Sequence, residues 1–232
     1  SASIFEWWCK QMTYFLVFIY ASILGSFYAV LATDPTLSGL VRRSKCDACG
    51  RKLKALDLIP ILSYLGLRGR CGACRSKIPL VYFLAEMFMG LLACLAFYRQ
   101  GWSRAFLFEF LVYSLLIILS LSDIFYLRVP NVLLLVFAPV LIYFSPLTWQ
   151  GMGLGLAVTS FVLLLTFSLS KGMGMGDVKL FLVLGLVLGY QANLLIMGLA
   201  SFLATGYFLI RRKQKLPFVP FIFIATVLAS FC

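Results

Sequence analysis

The chain has 232 residues, of which 62% are hydrophobic and only 12% charged, and a formal net charge of +12. A soluble domain sits near half apolar, with about a quarter of its residues charged, so this is the composition of an integral membrane protein. The chain also has no histidine. That excludes an HExxH zinc protease, Ser-His or Cys-His dyads and a histidine proton relay, leaving carboxylate, lysine, serine or cysteine for any catalysis.

Crossing ~30 Å of hydrocarbon takes about 20 apolar residues per helix. Apolar stretches fall at 11–32, 80–98, 104–122, 131–145, 151–169, 177–189, 192–210 and 217–232. The fold expected is all-α and polytopic, with about eight transmembrane helices. The first stretch has the length of a signal peptide. It lacks a basic flank and more spans follow, so a retained helix is expected.

Between the first two stretches lies the one long polar insert. It divides the chain into an N-terminal helix (1–32), an insert (33–79) and a transmembrane helical domain (80–232). The insert carries ten basic residues against Asp34, Asp47 and Asp57. With it on the cytoplasmic side, alternation places the loops holding Arg128, Lys171, Lys179 and 211-RRKQK-215 there too. Seventeen of 20 Lys and Arg residues then lie inside, as the positive-inside rule requires. Membrane topology and anionic headgroups account for the charge. Nucleic acid is not expected as a partner, and nothing in the sequence speaks to oligomeric state.

Four of the seven cysteines form Cys46-x-x-Cys49 and Cys71-x-x-Cys74, each in a turn context, "CDACG" and "CGACR". Two such knuckles make a four-cysteine zinc signature, and four thiolates give a closed, structural site. Disulfides are disfavoured in a reducing cytoplasm. A small polar insert buries little core, which gives a metal staple a physical reason. Cys9, Cys94 and Cys232 are expected to be packing residues.

Five acids lie outside the insert: Glu6, Glu86, Glu109, Asp123 and Asp177. Glu109 is explained by an ion pair near Arg104. Asp123 ends the third apolar run in "LSLSDIFYLRVPN", and Asp177 begins the sixth in "GMGMGDVKL". Both fall at the cytoplasmic boundary. Brought together they would share one proton, so that one activates water while the other protonates a peptide carbonyl. Gly172, Gly174 and Gly176 would supply unusual backbone angles and close approach to an extended substrate. Glycines of 151-GMGLGLA-157 suit helix packing. Salt bridges from the two aspartates to Arg128 and Lys179 are an alternative without catalysis.

These features in this order resemble the type IV prepilin leader peptidases, membrane aspartyl proteases of the GxGD type. The resemblance takes in 25-GSF-27, both knuckles, "DLIPILSYLGLRGRC" at 57–71, Asp123 with Pro130-Asn131, and the run from Gly174 to Leu180. It implies that Asp123 and Asp177 are the catalytic pair and that Gly174 and Gly176 form a substrate-side loop. It implies cleavage of a short basic leader from pilin or pseudopilin precursors at the cytoplasmic face of the bacterial inner membrane. It also implies methylation of the new N-terminus from S-adenosylmethionine, with Glu86 the glutamate linked to that step. Departures fall on the methylation side: "YAVLATDP" follows GSF, Asp47 replaces a proline, and "VYFLAE" is the run that ends at Glu86. A peptidase without methylation is therefore one alternative. Others are a transporter using Asp123 and Asp177 as a proton relay, which predicts mid-membrane acids and internal repeats, and a Ser-Lys peptidase using Ser170 with Lys171, or Ser122.

Overall fold

A computed structural model describes residues 2–33, 46, 48–52, 61–169, 174–211 and 216–231. Assignments made above at Asp34, Asp47, Asp57, Ser170, Lys171, Gly172, 212–215 and Cys232, and four of the insert's ten basic residues (Arg42, Arg43, Lys45 and Lys54), lie outside the described residues.

Among the described residues the regular elements are helical, apart from isolated bridges in the insert such as Arg70 to Lys77. The helices are α1 (Ala2–Thr33), α2 (Leu62–Gly66), α3 (Leu80–Gln100), α4 (Arg104–Tyr126), α5 (Asn131–Phe144), α6 (Trp149–Leu169), α7 (Met175–Leu188), α8 (Tyr190–Arg211) and α9 (Val219–Ala229). Most are apolar on every face, the pattern of helices surrounded by lipid or by other helices.

Segments of α1, α3, α4, α6 and α8 are long and apolar enough to cross a membrane. The protein is therefore all-α and largely membrane-embedded, with five spans by length. The expected count of eight needs α5, α7 and α9 as well. These have 14, 14 and 11 residues, and 14 residues rise only about 21 Å. Local chemistry shortens them. Gly189 takes φ +83° and ends α7 one residue before α8 begins. The prolines at 217 and 220 delay α9 to Val219.

The chain divides within α4 into two compact units, Ser1–Ile118 and Leu119–Cys232. In the first, α1 and α3 approach through small residues. A Cβ on Gly25 would lie 3.0 Å from the Ala85 carbonyl oxygen and the Glu86 Cα, and one on Gly90 would lie 2.6 Å from Phe18 and the Ser22 hydroxyl. Small residues permit this closeness, and close packing is what holds helices together in lipid. At the α3–α4 turn, Phe97, Trp102 and Phe106 meet edge to face. There Glu109 pairs at 3.0 Å with Arg99 of α3, across the turn. The expected neighbour Arg104 is five residues back on the same helix, a spacing that does not share a face.

In the second unit α6 crosses α7 at Gly155 and Gly185. A Cβ at Gly155 would fall on the Gly185 carbonyl, and one at Gly185 on Thr159 and Asn193. The packing reading of the 151–157 glycines thus rests on Gly155. The Asn193 side-chain amide, from α8, donates to Thr159 at 2.9 Å and to the Phe181 carbonyl at 3.2 Å. This fixes the rotation of α7, which carries Asp177.

Candidate active site

Asp123 lies in the last turn of α4, which ends when the Leu127 N–H bonds the Asp123 carbonyl at 2.9 Å. Leu127 has φ +53°, the left-handed stop that glycine usually provides. Val129 and Pro130 follow, and Asn131 starts α5. The Asp123 side chain is only 7% exposed. Its Oδ2 accepts the Val219 N–H at 2.9 Å. The reason is local to α9. Its N-cap, Phe218, has no side chain able to cap, and Pro220 has no N–H at all. The free Val219 donor at the start of α9 is therefore satisfied by a carboxylate from α4.

Asp177 is the third residue of α7, where an acid is favoured by the helix dipole. Gly174 caps that helix with φ −67° and ψ 136°, an ordinary extended conformation. Neither Gly174 nor Gly176 adopts a left-handed φ, so unusual backbone angles are not why they are glycine. Room is the reason. A Cβ on Gly174 would sit 3.1 Å from the Asp177 Oδ2, and one on Gly176 would sit 2.8 Å from the Val129 Cβ and Cγ2.

The two carboxyls are near enough for the charge of Asp123 to act on Asp177. Neither is ion-paired with Arg128 or Lys179. The Lys179 Nζ instead donates to the Asn131 Oδ1 at 3.0 Å, tying the start of α7 to the start of α5. The non-catalytic alternative therefore has no support in this geometry. Val129, Phe218 and Val219 have no chemistry-bearing side chains and were not singled out from sequence. The two prolines bracketing Phe218 and Val219 are the one available signal.

In the first unit the sulfurs of Cys46, Cys49, Cys71 and Cys74 all lie within 4.8 Å of one another. The two turns are built alike. The Cys46 N–H bonds the Arg51 carbonyl and the Gly50 N–H the Cys46 carbonyl; the Cys71 N–H bonds the Ser76 carbonyl and the Arg75 N–H the Cys71 carbonyl. The fourth residue after each leading cysteine is left-handed, Gly50 at φ +69° and Arg75 at φ +56°. The Cys46 thiol is pulled down to about 6 by the Cys49 N–H first, then the Ala48 N–H and the Ser76 hydroxyl, against an upward push from burial. Ser76 likewise lowers Cys74, through its hydroxyl first and then its N–H. The Cys46 and Cys74 sulfurs are 3.8 Å apart, and bonds of ~2.3 Å to a tetrahedral zinc give an edge of about 3.8 Å.

Glu86, 8% exposed, faces Gly25 of α1. Its Oε2 accepts the Ile61 N–H at 2.7 Å, and Ser26 also bonds the carboxyl. Ile61 has φ +64°, an outlier for a β-branched residue. Glu86 therefore holds a strained turn of the insert against α1 and α3.

Residues 19–100 match the family described as the Bacterial Peptidase A24 N-terminal domain, and residues 110–209 match the Type IV leader peptidase family. The chain is 36% identical over 230 residues to a curated protein of Bacillus subtilis (strain 168), the prepilin leader peptidase/N-methyltransferase, with 92% of each chain covered. No solved structure matches it significantly.

Proposed function

Since the chain belongs to the type IV leader peptidase family, we propose that it is a membrane aspartyl endopeptidase whose catalytic pair is Asp123 and Asp177. Its substrates are prepilin or pseudopilin precursors, cut between a short basic leader and the apolar helix that follows. The single observation carrying this reading is that the charge of Asp123 reaches Asp177, while among the described residues neither helix-end carboxylate is ion-paired.

The chemistry follows from the shared proton. The ionised carboxylate takes a proton from water, and the resulting oxygen attacks the scissile carbonyl carbon. The protonated partner gives its proton to the carbonyl oxygen, forming a neutral diol. Collapse of the diol breaks the C–N bond: one diol hydroxyl returns its proton to the carboxylate that had protonated the carbonyl, and the departing amine takes the proton that came from water. Gly174, which is exposed, leaves main chain uncovered beside this pair, where an extended peptide can approach, while Gly176 makes room for Val129.

The cysteine cluster is read as a zinc site held by Cys46, Cys49, Cys71 and Cys74. The donor set and its spacing fit, and the ion would be a structural staple with no part in cleavage. Counting α5, α7 and α9 as crossings gives eight spans, with the zinc insert and the carboxylate pair on the cytoplasmic face of the inner membrane. The second reading adds methylation of the new N-terminus, carried by the printed name of the Bacillus relative. The methyl donor would be S-adenosylmethionine. Glu86, bonded to Ile61 and Ser26, would serve that activity by holding the insert in place.

The test is incubation of the protein in liposomes with a type IV pilin precursor, reading the N-terminal mass of the product with and without S-adenosylmethionine. Loss of the leader at the border of the apolar segment is expected, with a product one methyl heavier when the donor is present. An uncut precursor would overturn the peptidase reading. An unmethylated product would remove only the second activity.

A further inference from the structure

The adjacent residues Phe218 and Val219 are joined to both carboxylate-bearing helices. The Val219 N–H holds the Asp123 carboxylate, as described above. The ring of Phe218 meets the ring of Phe181 edge to face, with centroids 6.2 Å apart. Phe181 is one helical turn beyond Asp177 on α7 and is 1% exposed. Two consecutive residues therefore grip Asp123 through the Val219 backbone and bear on α7 just behind Asp177 through the Phe218 ring. Asp123 and Asp177 are 54 residues apart in sequence, and each sits on its own helix. Their spacing depends on what bridges α4 and α7.

We infer that Phe218 is a positioning residue that sets the distance between Asp123 and Asp177. The inference rests on the aspartyl reading above. If the Phe181 contact is lost, the 217–220 segment loses its side-chain anchor on α7 and can shift against that helix. The carboxylate it holds then moves relative to α7. Substrate binding along the apolar faces of the helices is not affected, so the loss falls on kcat and leaves KM alone. Misplacement of reacting groups by about 1 Å costs on the order of a hundredfold in rate.

The experiment compares cleavage of a pilin precursor in liposomes by wild type, Phe218→Leu, Phe218→Tyr, Phe181→Leu and the double variant Phe181→Leu/Phe218→Leu. Asp123→Asn and Asp177→Asn serve as controls, and the melting temperature of each variant is recorded. Leucine keeps apolar bulk at both positions, so the variants fold. Each leucine variant should lose about tenfold or more in kcat with KM within twofold. Tyrosine, which keeps the ring, should restore kcat. The double variant should be no worse than either single one, because both remove the same contact. Wild-type kcat in the leucine variants, additive losses, or failure of tyrosine to rescue would each overturn the inference. Cleavage that survives in either Asn control would instead overturn the aspartyl reading on which it rests.

Discussion

Replacing Gly176 by alanine is the sharpest geometric test of the site. The added Cβ would come 2.8 Å from both the Cβ and the Cγ2 of Val129. Carbons in contact rest at ~3.5–4.0 Å, so the first turn of α7 and the 127–130 turn must part by roughly 1 Å. The Val129 atoms are close to its own backbone, and no rotamer removes the Cβ from the contact. The overpacking should cost about 1–3 kcal/mol. It should also move Asp177 against Asp123, lowering kcat by about 10- to 100-fold with KM little changed. Val129→Ala removes the Cγ2 contact and leaves the site intact, so alone it should cleave nearly as wild type does. Combined with Gly176→Ala, it should recover part of the lost rate, since the Cβ at position 129 stays in the contact, giving a favourable coupling in the double-mutant cycle. The assay is steady-state cleavage of a pilin precursor in liposomes. Wild-type activity in Gly176→Ala, or a double variant no better than the single, would refute the reasoning.

Other outcomes follow from the first unit. Purified protein should carry one zinc per chain by elemental analysis, and Cys71→Ser or Cys74→Ser should abolish it; full occupancy in those variants would exclude the four-sulfur site. In metal-free protein, alkylation at pH 7 should label Cys46 first, because its thiol is lowered to about 6 and is already thiolate there; a uniform labelling pattern would contradict this. Arg75→Gly should stabilise the insert by up to about 1 kcal/mol, since Arg75 holds the left-handed position that Gly50 fills in the other knuckle; protease resistance of the insert reads this. Glu86→Gln keeps an acceptor for the Ile61 N–H, whereas Glu86→Ala leaves that donor unpaired at a cost of about 1–3 kcal/mol. Only the alanine variant should lower the melting temperature.

The sequence made the acids conspicuous, because a carboxylate at the end of an apolar run has few reasons to be there. Asp123 and Asp177 stood out on that ground, and the paired CxxC spacing marked the insert. The role of glycine was legible only in outline. Gly176 is small because Val129 lies over it, a contact across 47 positions that no local pattern records. The grip on Asp123 was not legible, since its donor is the backbone N–H of Val219. That N–H is free because it opens α9 and the N-cap Phe218 has no side chain able to cap it. Arg75 concealed the likeness of the two knuckles by putting a cation where glycine is expected. The lengths of α5, α7 and α9 escaped hydropathy because what ends or delays them is Gly189 and the prolines, not a change in polarity.

Cleavage of a pilin precursor by Asp123→Asn and Asp177→Asn in liposomes, beside wild type, tests the central claim most directly. Asparagine keeps the shape of the side chain and an acceptor for the Val219 N–H, so both variants should fold and melt near the wild-type temperature. The account predicts that neither releases the leader. Cleavage at the wild-type position and rate by either variant would contradict it.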